Sequence, residues 1–208
     1  MSAVAATHLD DRALVQALRR RDERAAEQLI ERYGGAMRRF AVSLVGSAAV
    51  ADEVVQETWI AVLRGVDRFE GRSSLKTWIF GILSNIAKTQ AQRERRCVPL
   101  SSFEIEGSDE PAIDAACFRS DGHWVSSPSR WSELPEERLA AGETLACIAR
   151  TLETLPAPQR AVMTLRDVEG WSGDEVCEAL GLTDANQRVL LHRARSKVRA
   201  ALDAELSS

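Results

Sequence analysis

An all-α fold is what the sequence predicts: two small helical domains joined by a long acidic linker, the C-terminal domain a helix-turn-helix. Three observations carry this. Ala, Leu, Arg and Glu abound while aromatics make up only 5% of the 208 residues, a balance that favours helix over sheet. Apolar residues recur at steps of three, four or seven through two separate stretches of chain, the period of an amphipathic helix. Between those stretches, from Cys97 to about Pro135, the periodicity fails and Ser, Pro, Gly and Asp collect. A structureless segment of that length is too long for a loop inside one compact domain. The expected division is therefore residues 1–96, a linker over 97–135, and residues 136–208.

The elements follow in order. After a loose start (Met1 to His8), Leu14, Leu18, Leu29, Tyr33, Met37, Phe40 and Leu44 mark amphipathic helix, which Gly34-Gly35 is expected to kink or divide. Gly46-Ser47 closes it. A second helix is expected from about Ala48 to Gly65, with Ala51, Val55, Thr58 and Val62 inward. Asp67 to Ser74 (DRFEGRSS) reads as a polar turn. A third helix then places Leu75, Trp78, Ile79, Ile82, Leu83 and Ile86 on its apolar face. Its other face takes Thr77, Ser84, Asn85, Lys88, Gln92 and Arg95. In the second domain, Leu139, Leu145, Ile148 and Leu152 propose one helix, and Pro158 to Asp167 another. Ser172-Gly173-Asp174-Glu175 reads as a capping box opening a helix that ends at Gly181. Thr183 is placed to cap a last helix running to about Leu206.

The formal net charge of −4 conceals a division along the chain. From Arg64 to Arg96, eight basic residues face three acidic ones, net +5. From Cys97 to Leu145, three basic residues face ten carboxylates, net −7. Arg188, Arg193, Arg195, Lys197 and Arg199 have no acid among them. Two basic elements thus flank an acidic connector, and it is this distribution rather than the total that bears on nucleic-acid binding. The four cysteines (Cys97, Cys117, Cys147, Cys177) lie far apart with no C-x-x-C pair, and read as thiols rather than metal ligands. The spacing of Cys117 and His123 matches no zinc signature. No apolar stretch approaches the length of a membrane span, and the start lacks a basic region followed by an apolar one. The expected location is the cytoplasm.

The C-terminal pattern carries the clearest chemistry. A short helix, a glycine turn (Gly181, Leu182, Thr183) and a longer basic helix make a helix-turn-helix, whose second helix enters the major groove. Asn186, Gln187 and Arg188 are suited to base edges, because amides pair with adenine and guanidinium with guanine. His192, Arg193, Arg195 and Lys197 follow along later turns, where phosphates are met. A basic C-terminal half also complements a helix dipole.

Two blocks then resemble one family. LPAPQRAVMTLRDVEGWSGDEVCEALGLTDANQRVLLHRARSKVRAAL (Leu155 to Leu202) is similar to the promoter-reading C-terminal domain of the extracytoplasmic-function sigma factors of bacterial RNA polymerase. RYGGAMRRFAVSLVG, followed by ADEVVQETWIAVLRGVDRFEGRSSLKTWIFGILSNIAKTQAQRERR, is similar to their core-binding and promoter-melting domain. The resemblance implies a promoter-specific initiation factor that is not itself an enzyme and needs no cofactor or metal. It implies as partners core RNA polymerase (clamp helices and flap), promoter DNA and an anti-sigma factor, with no membrane insertion. Asp52, Glu53, Gln56 and Glu57 match the surface for the polymerase clamp helices, with charge complementarity as the rationale; such a stripe is also the usual look of a solvated helix face.

The turn Gly71-Arg72-Ser73-Ser74 corresponds to the loop that captures a base flipped from the minus-ten element. Flipping costs a few kcal/mol, so the pocket must return stacking and hydrogen bonds. Asn85 and Lys88, with Gln92 and Arg95, fall where the family reads and holds the non-template strand. Trp78 and Phe80 suit stacking on unpaired bases, and Trp78 suits the core equally. Thr183, Asn186, Gln187, Arg188, His192, Arg193 and Arg195 are the residues implied for the minus-thirty-five element. The linker of the family passes near the polymerase active centre, which gives Glu104, Glu106, Asp109 and Glu110 either a role in a basic channel or that of a plain acidic tether.

The chain departs from the pattern twice: Gln187 stands in an apolar place and Leu190 in a basic one, and the DGHWVSSPSRW insert is longer and more aromatic than the usual linker. A conventional helix-turn-helix activator would explain the C-terminus but not the DEVVQETW block. An all-helical adaptor would bind without regard to salt. No P-loop, H-E-x-x-H or G-x-S-x-G supports an enzyme.

Overall fold

The computed structural model describes residues 2–93 and 142–205, and every described element is helical. Contacts group the chain into two compact units, residues 1–98 with 174–182, and residues 99–173 with 183–208. The first unit is built from α1 (Ser2–Arg19), α2 (Glu23–Val45), α3 (Ala48–Gly65), a 3-10 turn (Val66–Arg68) and α4 (Leu75–Arg93). The second unit has α5 (Gly142–Thr154), α6 (Ala157–Met163), a π turn (Thr164–Val168) and α8 (Asp184–Glu205). The short helix α7 (Gly173–Leu180) lies almost wholly within the residues grouped with the first unit.

In α2, Leu29, Tyr33, Met37, Phe40 and Leu44 form one buried stripe, and it meets α3 and α4. The Phe40 and Phe80 rings lie 5.6 Å apart at its centre, within the range of favourable aromatic pairs. The expected division at Gly34-Gly35 does not occur: α2 runs through both, and the chain breaks at Arg20-Arg21-Asp22 instead. The reason is a better stop and start. Asp22 caps α2, its carboxylate accepting from the Arg24 N–H at 2.9 Å. Arg21 takes the left-handed φ of 61°, which costs an L-residue roughly 1–2 kcal/mol. Its guanidinium offsets that strain by bonding the Leu63 carbonyl at 2.7 Å and Asp67 at 3.1 Å. The loose start is also corrected, since α1 is helical from Ser2.

Two inward faces differ from expectation by a rotation. In α3 the buried residues are Ala51, Val54, Thr58 and Val62, so Val54 takes the place expected for Val55. Thr58 tolerates burial because its hydroxyl donates to the Val54 carbonyl at 2.7 Å. In α4, Thr77, Phe80, Ser84, Ala87 and Ala91 join Leu75, Ile79 and Leu83 inside, while Trp78, Ile82 and Ile86 are half-buried. Helix α4 packs against both α2 and α3. Its buried arc is therefore wider than one apolar stripe, and small residues fill the close approaches.

In the second unit, Leu165, Trp171, Leu191, Val198 and Leu202 belong to the core, with α5 and α6 packed on α8. Helix α6 starts just after Pro156 and continues into the π turn, so the expected Pro158–Asp167 helix is present with a changed final turn. On α5, Cys147 is buried and Leu145 is 63% exposed, contrary to the expectation for Leu145. Leu139 lies outside the described residues, as do the linker carboxylates, the DGHWVSSPSRW insert, Cys117 and His123.

Candidate polymerase and nucleic-acid interfaces

Helix α3 turns Asp52, Glu53, Gln56 and Glu57 to solvent together, because Ala51, Val54, Thr58 and Val62 occupy the opposite side. Asp52 accepts from Arg38 at 2.7 Å, an exposed pair that raises the guanidinium pKa further. The other three carry the stripe onward to Ile60, which is 50% exposed. Sequence reading missed Ile60; the signal was an isoleucine one turn beyond Gln56 on the polar side. Ile60 thus adds one apolar side chain at the end of an exposed polar stripe.

The polar turn is anchored at both ends. Arg19 donates to the Val66 carbonyl at 3.2 Å and the Phe69 carbonyl at 2.6 Å, holding the entry. Ser74 closes the exit: its hydroxyl accepts from the Thr77 N–H at 3.0 Å and so caps α4. Gly71 between them has φ 73°, a conformation glycine adopts without steric cost. Arg72 projects outward and pairs with Glu70, and Ser73 is half-buried. Trp78 is half-buried against Phe69, ring centroids 5.0 Å apart. Phe80 is 1% exposed, which removes it from any stacking role.

Along α4, Asn85 and Gln92 are exposed. Lys88 is half-buried and donates to the Leu180 carbonyl at 3.1 Å; burial lowers its pKa. Lys76 pairs with Glu175 at 2.6 Å. Arg95 lies outside the described residues.

The C-terminal motif is built by two caps. At the end of α7, Gly181 takes φ 70° and the Leu182 N–H bonds the Cys177 carbonyl at 2.9 Å, the bond of a Schellman turn. Thr183 then caps α8, its hydroxyl accepting from the Asn186 N–H at 3.3 Å. Arg188 is exposed and pairs with Asp184 at 3.0 Å, while Asn186, His192 and Arg193 are half-buried. Burial, and then the neighbouring charge of Arg193, push the His192 pKa down. The structure turns two expected groove residues inward. Gln187 is 2% exposed and Arg195 is 4% exposed. Arg195 holds Asp167 through two bonds, at 2.9 and 2.5 Å. The bidentate match of guanidinium to carboxylate is what makes burial of that arginine tolerable.

Among the described residues, no group of three or more His, Cys, Asp or Glu is placed to hold a metal. Nor is any described helix long and apolar enough to cross a membrane.

Comparison with known proteins joins these surfaces. The family described as Sigma-70 region 2 matches residues 29–97, which span the α3 stripe and the anchored turn. Sigma-70, region 4 matches residues 145–198, which span the capped helix-turn-helix. The chain is 30% identical to the ECF RNA polymerase sigma-E factor of Escherichia coli (strain K12), over 91% of this chain and 93% of that one. It is also 30% identical to the RNA polymerase sigma-H factor of Pseudomonas aeruginosa, over 94% and 95%. Among solved structures, CnrH in complex with the cytosolic domain of CnrY superposes with a TM-score of 0.60 at 26% identity, covering 94% of this chain and 98% of that one. The sigma factor RpoE, in complex with the anti-sigma factor NepR from Bartonella quintana, shares the fold at a TM-score of 0.55 and 23% identity, covering 86% and 97%. Both halves of the chain, in one order and over nearly the whole length of its relatives, place it in one family: it belongs to the ECF sigma factors of RNA polymerase, which direct transcription initiation and leave the chemistry to the polymerase.

Proposed function

We propose that this chain joins core RNA polymerase through α3, opens the minus-ten element with the 71–74 turn and α4, and reads the minus-thirty-five element with α8. The assignment gives residues 1–96 to core binding and melting, 97–135 to a linker, and 136–208 to upstream recognition. The observation that carries it is the pairing, in one chain, of a region 2 match and a region 4 match, each over exposed side chains of suitable chemistry.

On α3, Asp52, Glu53, Gln56 and Glu57 offer acidic charge to the clamp helices, and Ile60 supplies an apolar anchor. At the turn, Arg72 and Ser73 engage a flipped base, Ser74 holds the geometry as a cap, and Trp78 presents its half-exposed face. Asn85, Lys88, Gln92 and Arg95 hold the non-template strand. Lys88 has to exchange the Leu180 carbonyl for a phosphate to do so.

On α8, Thr183, Asn186, Arg188, His192 and Arg193 form the groove-facing set. Gln187 and Arg195 support that helix from inside. The flap of the polymerase is the expected partner of the C-terminal domain, and the site of action is the cytoplasm. Control by an anti-sigma factor is supported by the relative CnrH, whose structure holds a second protein, the cytosolic domain of CnrY.

Run-off transcription with purified core polymerase on a promoter library tests the reading, comparing wild type with an Arg188→Ala/Arg193→Ala double variant. Promoter-specific transcripts from wild type, weakened in the variant through poorer use of the upstream element, are expected. Binding to DNA with no transcript from any promoter would make the chain a conventional regulator instead.

A further inference from the structure

Behind the anchored turn the first unit holds a cavity of about 550 Å³, and α1 supplies one of its walls. Its volume is that of an ordinary small-molecule pocket, ample for a single nucleobase. Phe69, Glu70 and Ser73 line it from the turn; Asp11, Arg12 and Gln16 line it from α1. The depth is apolar, with Val15 6% and Leu75 1% exposed, and the Phe69 ring adds a flat surface. The rim is polar, since Arg12, Gln16 and Glu70 are exposed. An apolar slot with hydrogen-bonding groups around its mouth is what an unstacked base requires: faces to pack and an edge to pair.

The two bonds from Arg19 to the Val66 and Phe69 carbonyls fasten α1, one wall of the cavity, to the turn that forms the other. Such support is what lets a site discriminate rather than merely accommodate. Both carboxylates of the lining are engaged, Asp11 by Arg32 at 3.4 Å and Glu70 by Arg72. Gln16, exposed, presents both a donor and an acceptor, and Arg12 presents donors, the groups that pair with a base edge.

We infer that α1, through Gln16 and Arg12, reads the identity of the base that the turn captures. The inference rests on the reading of the 71–74 turn as the base-capturing element, and adds to it a second helix that sets specificity. Asp11 and Arg19 are positioning residues, since their polar groups are engaged by Arg32 and by the turn backbone.

The test is open-complex formation by holoenzyme reconstituted from the full chain and purified core polymerase. The templates are promoters in which each non-template position of the minus-ten element carries each of the four bases in turn. Wild type is expected to show a base preference at one position. Gln16→Ala, at an exposed site where folding is little affected, is expected to relax that preference about tenfold, the order of one lost base-edge contact, with preferences at other positions kept. Arg12→Ala is expected to act at the same position, and Gln16→Glu, which keeps an acceptor, to retain part of the preference.

If Arg72→Ala or Ser73→Ala alters preference at that position while neither α1 variant does, the role of α1 is overturned and the turn reading stands. If no variant alters preference at any position, both fall.

Discussion

Helix α3 carries four acidic or amide side chains in its middle turns, and α8 carries five basic ones. All four on α3 reach solvent, whereas Arg195 and Arg199 of α8 are buried at 4% and 7% exposure. The difference lies in how wide an arc each helix buries. On α3 the buried residues are small or β-branched and gather on one side, which leaves the charged side open. Each helix has two packing neighbours, α2 and α4 for α3 and α5 and α6 for α8, but α8 buries side chains all along its length from Gln187 to Leu202, so part of its basic run falls inside. There Arg195 finds Asp167, and Arg199 lies 3.8 Å from Asp203. A run of like charge therefore marks an outer face only on a helix whose buried arc is narrow. On a helix with a wide buried arc, the same run mixes contact residues with structural ones.

The sharpest way to break this comparison is Arg195→Ala. Removing the buried guanidinium loses two charge-assisted bonds to Asp167, whose own carboxylate reaches solvent, and is expected to cost about 2 kcal/mol, read as a fall in the melting temperature of the full chain. A variant that melts like wild type and only binds DNA less well would return Arg195 to the groove.

Arg188→Ala/Arg193→Ala should do the opposite. Affinity for minus-thirty-five DNA is expected to fall about ten- to hundredfold with a shallower salt dependence, while stability changes by less than about 0.5 kcal/mol. The exposed Arg188–Asp184 pair contributes little to stability. A large drop in melting temperature would show that the two arginines serve the fold.

On α3, Glu53→Lys/Glu57→Lys is expected to slow association with core polymerase several-fold, most at low salt. Folding should be unchanged because neither side chain touches the core. Association rates by surface plasmon resonance at two salt concentrations would decide it, an unchanged rate at both counting against the interface.

The smallest effect concerns His192. Its folded pKa lies below the usual value, so the unfolded chain binds the proton more readily. The associated stability is present above about pH 6.5 and is lost as pH falls through that region toward the lower folded value. His192→Gln is expected to flatten the decline in melting temperature between pH 7 and pH 5 slightly. It should also leave the salt slope of DNA binding at pH 7.5 unaltered, because a neutral imidazole displaces no counterion. A slope reduced by about one unit would mean that the imidazole is charged on DNA.

Much of the architecture was legible before any coordinates. The α3 bounds, the Gly181 turn and the Thr183 cap follow from local rules, in which a glycine or a hydroxyl acts on backbone a few residues away. The chain break was not. Gly34-Gly35 has the composition of a breaker, yet the buried stripe on both sides of it holds α2 together. The stop at Arg21 depends on the Leu63 carbonyl and Asp67, more than forty residues on. The inward sides of α3 and α4 were each misjudged, at Val55 and at Thr77, Phe80 and Ser84, because each helix packs against two others, so tertiary contacts set its buried arc; Thr77 enters it with its hydroxyl paired to that of Ser74.

By itself, then, the sequence determined the helical class, the separation of basic elements by an acidic connector, the Gly181 turn and the Thr183 cap, and the family. Each of these rests on composition or on residues within a turn of one another. The tertiary structure alone decided which member of a charged run faces outward, how the turn is fastened to α1, and that α1 lines a cavity behind it. Those outcomes depend on residues such as Arg19 and Phe69, or Asp167 and Arg195, which lie far apart in sequence and are brought together only by packing.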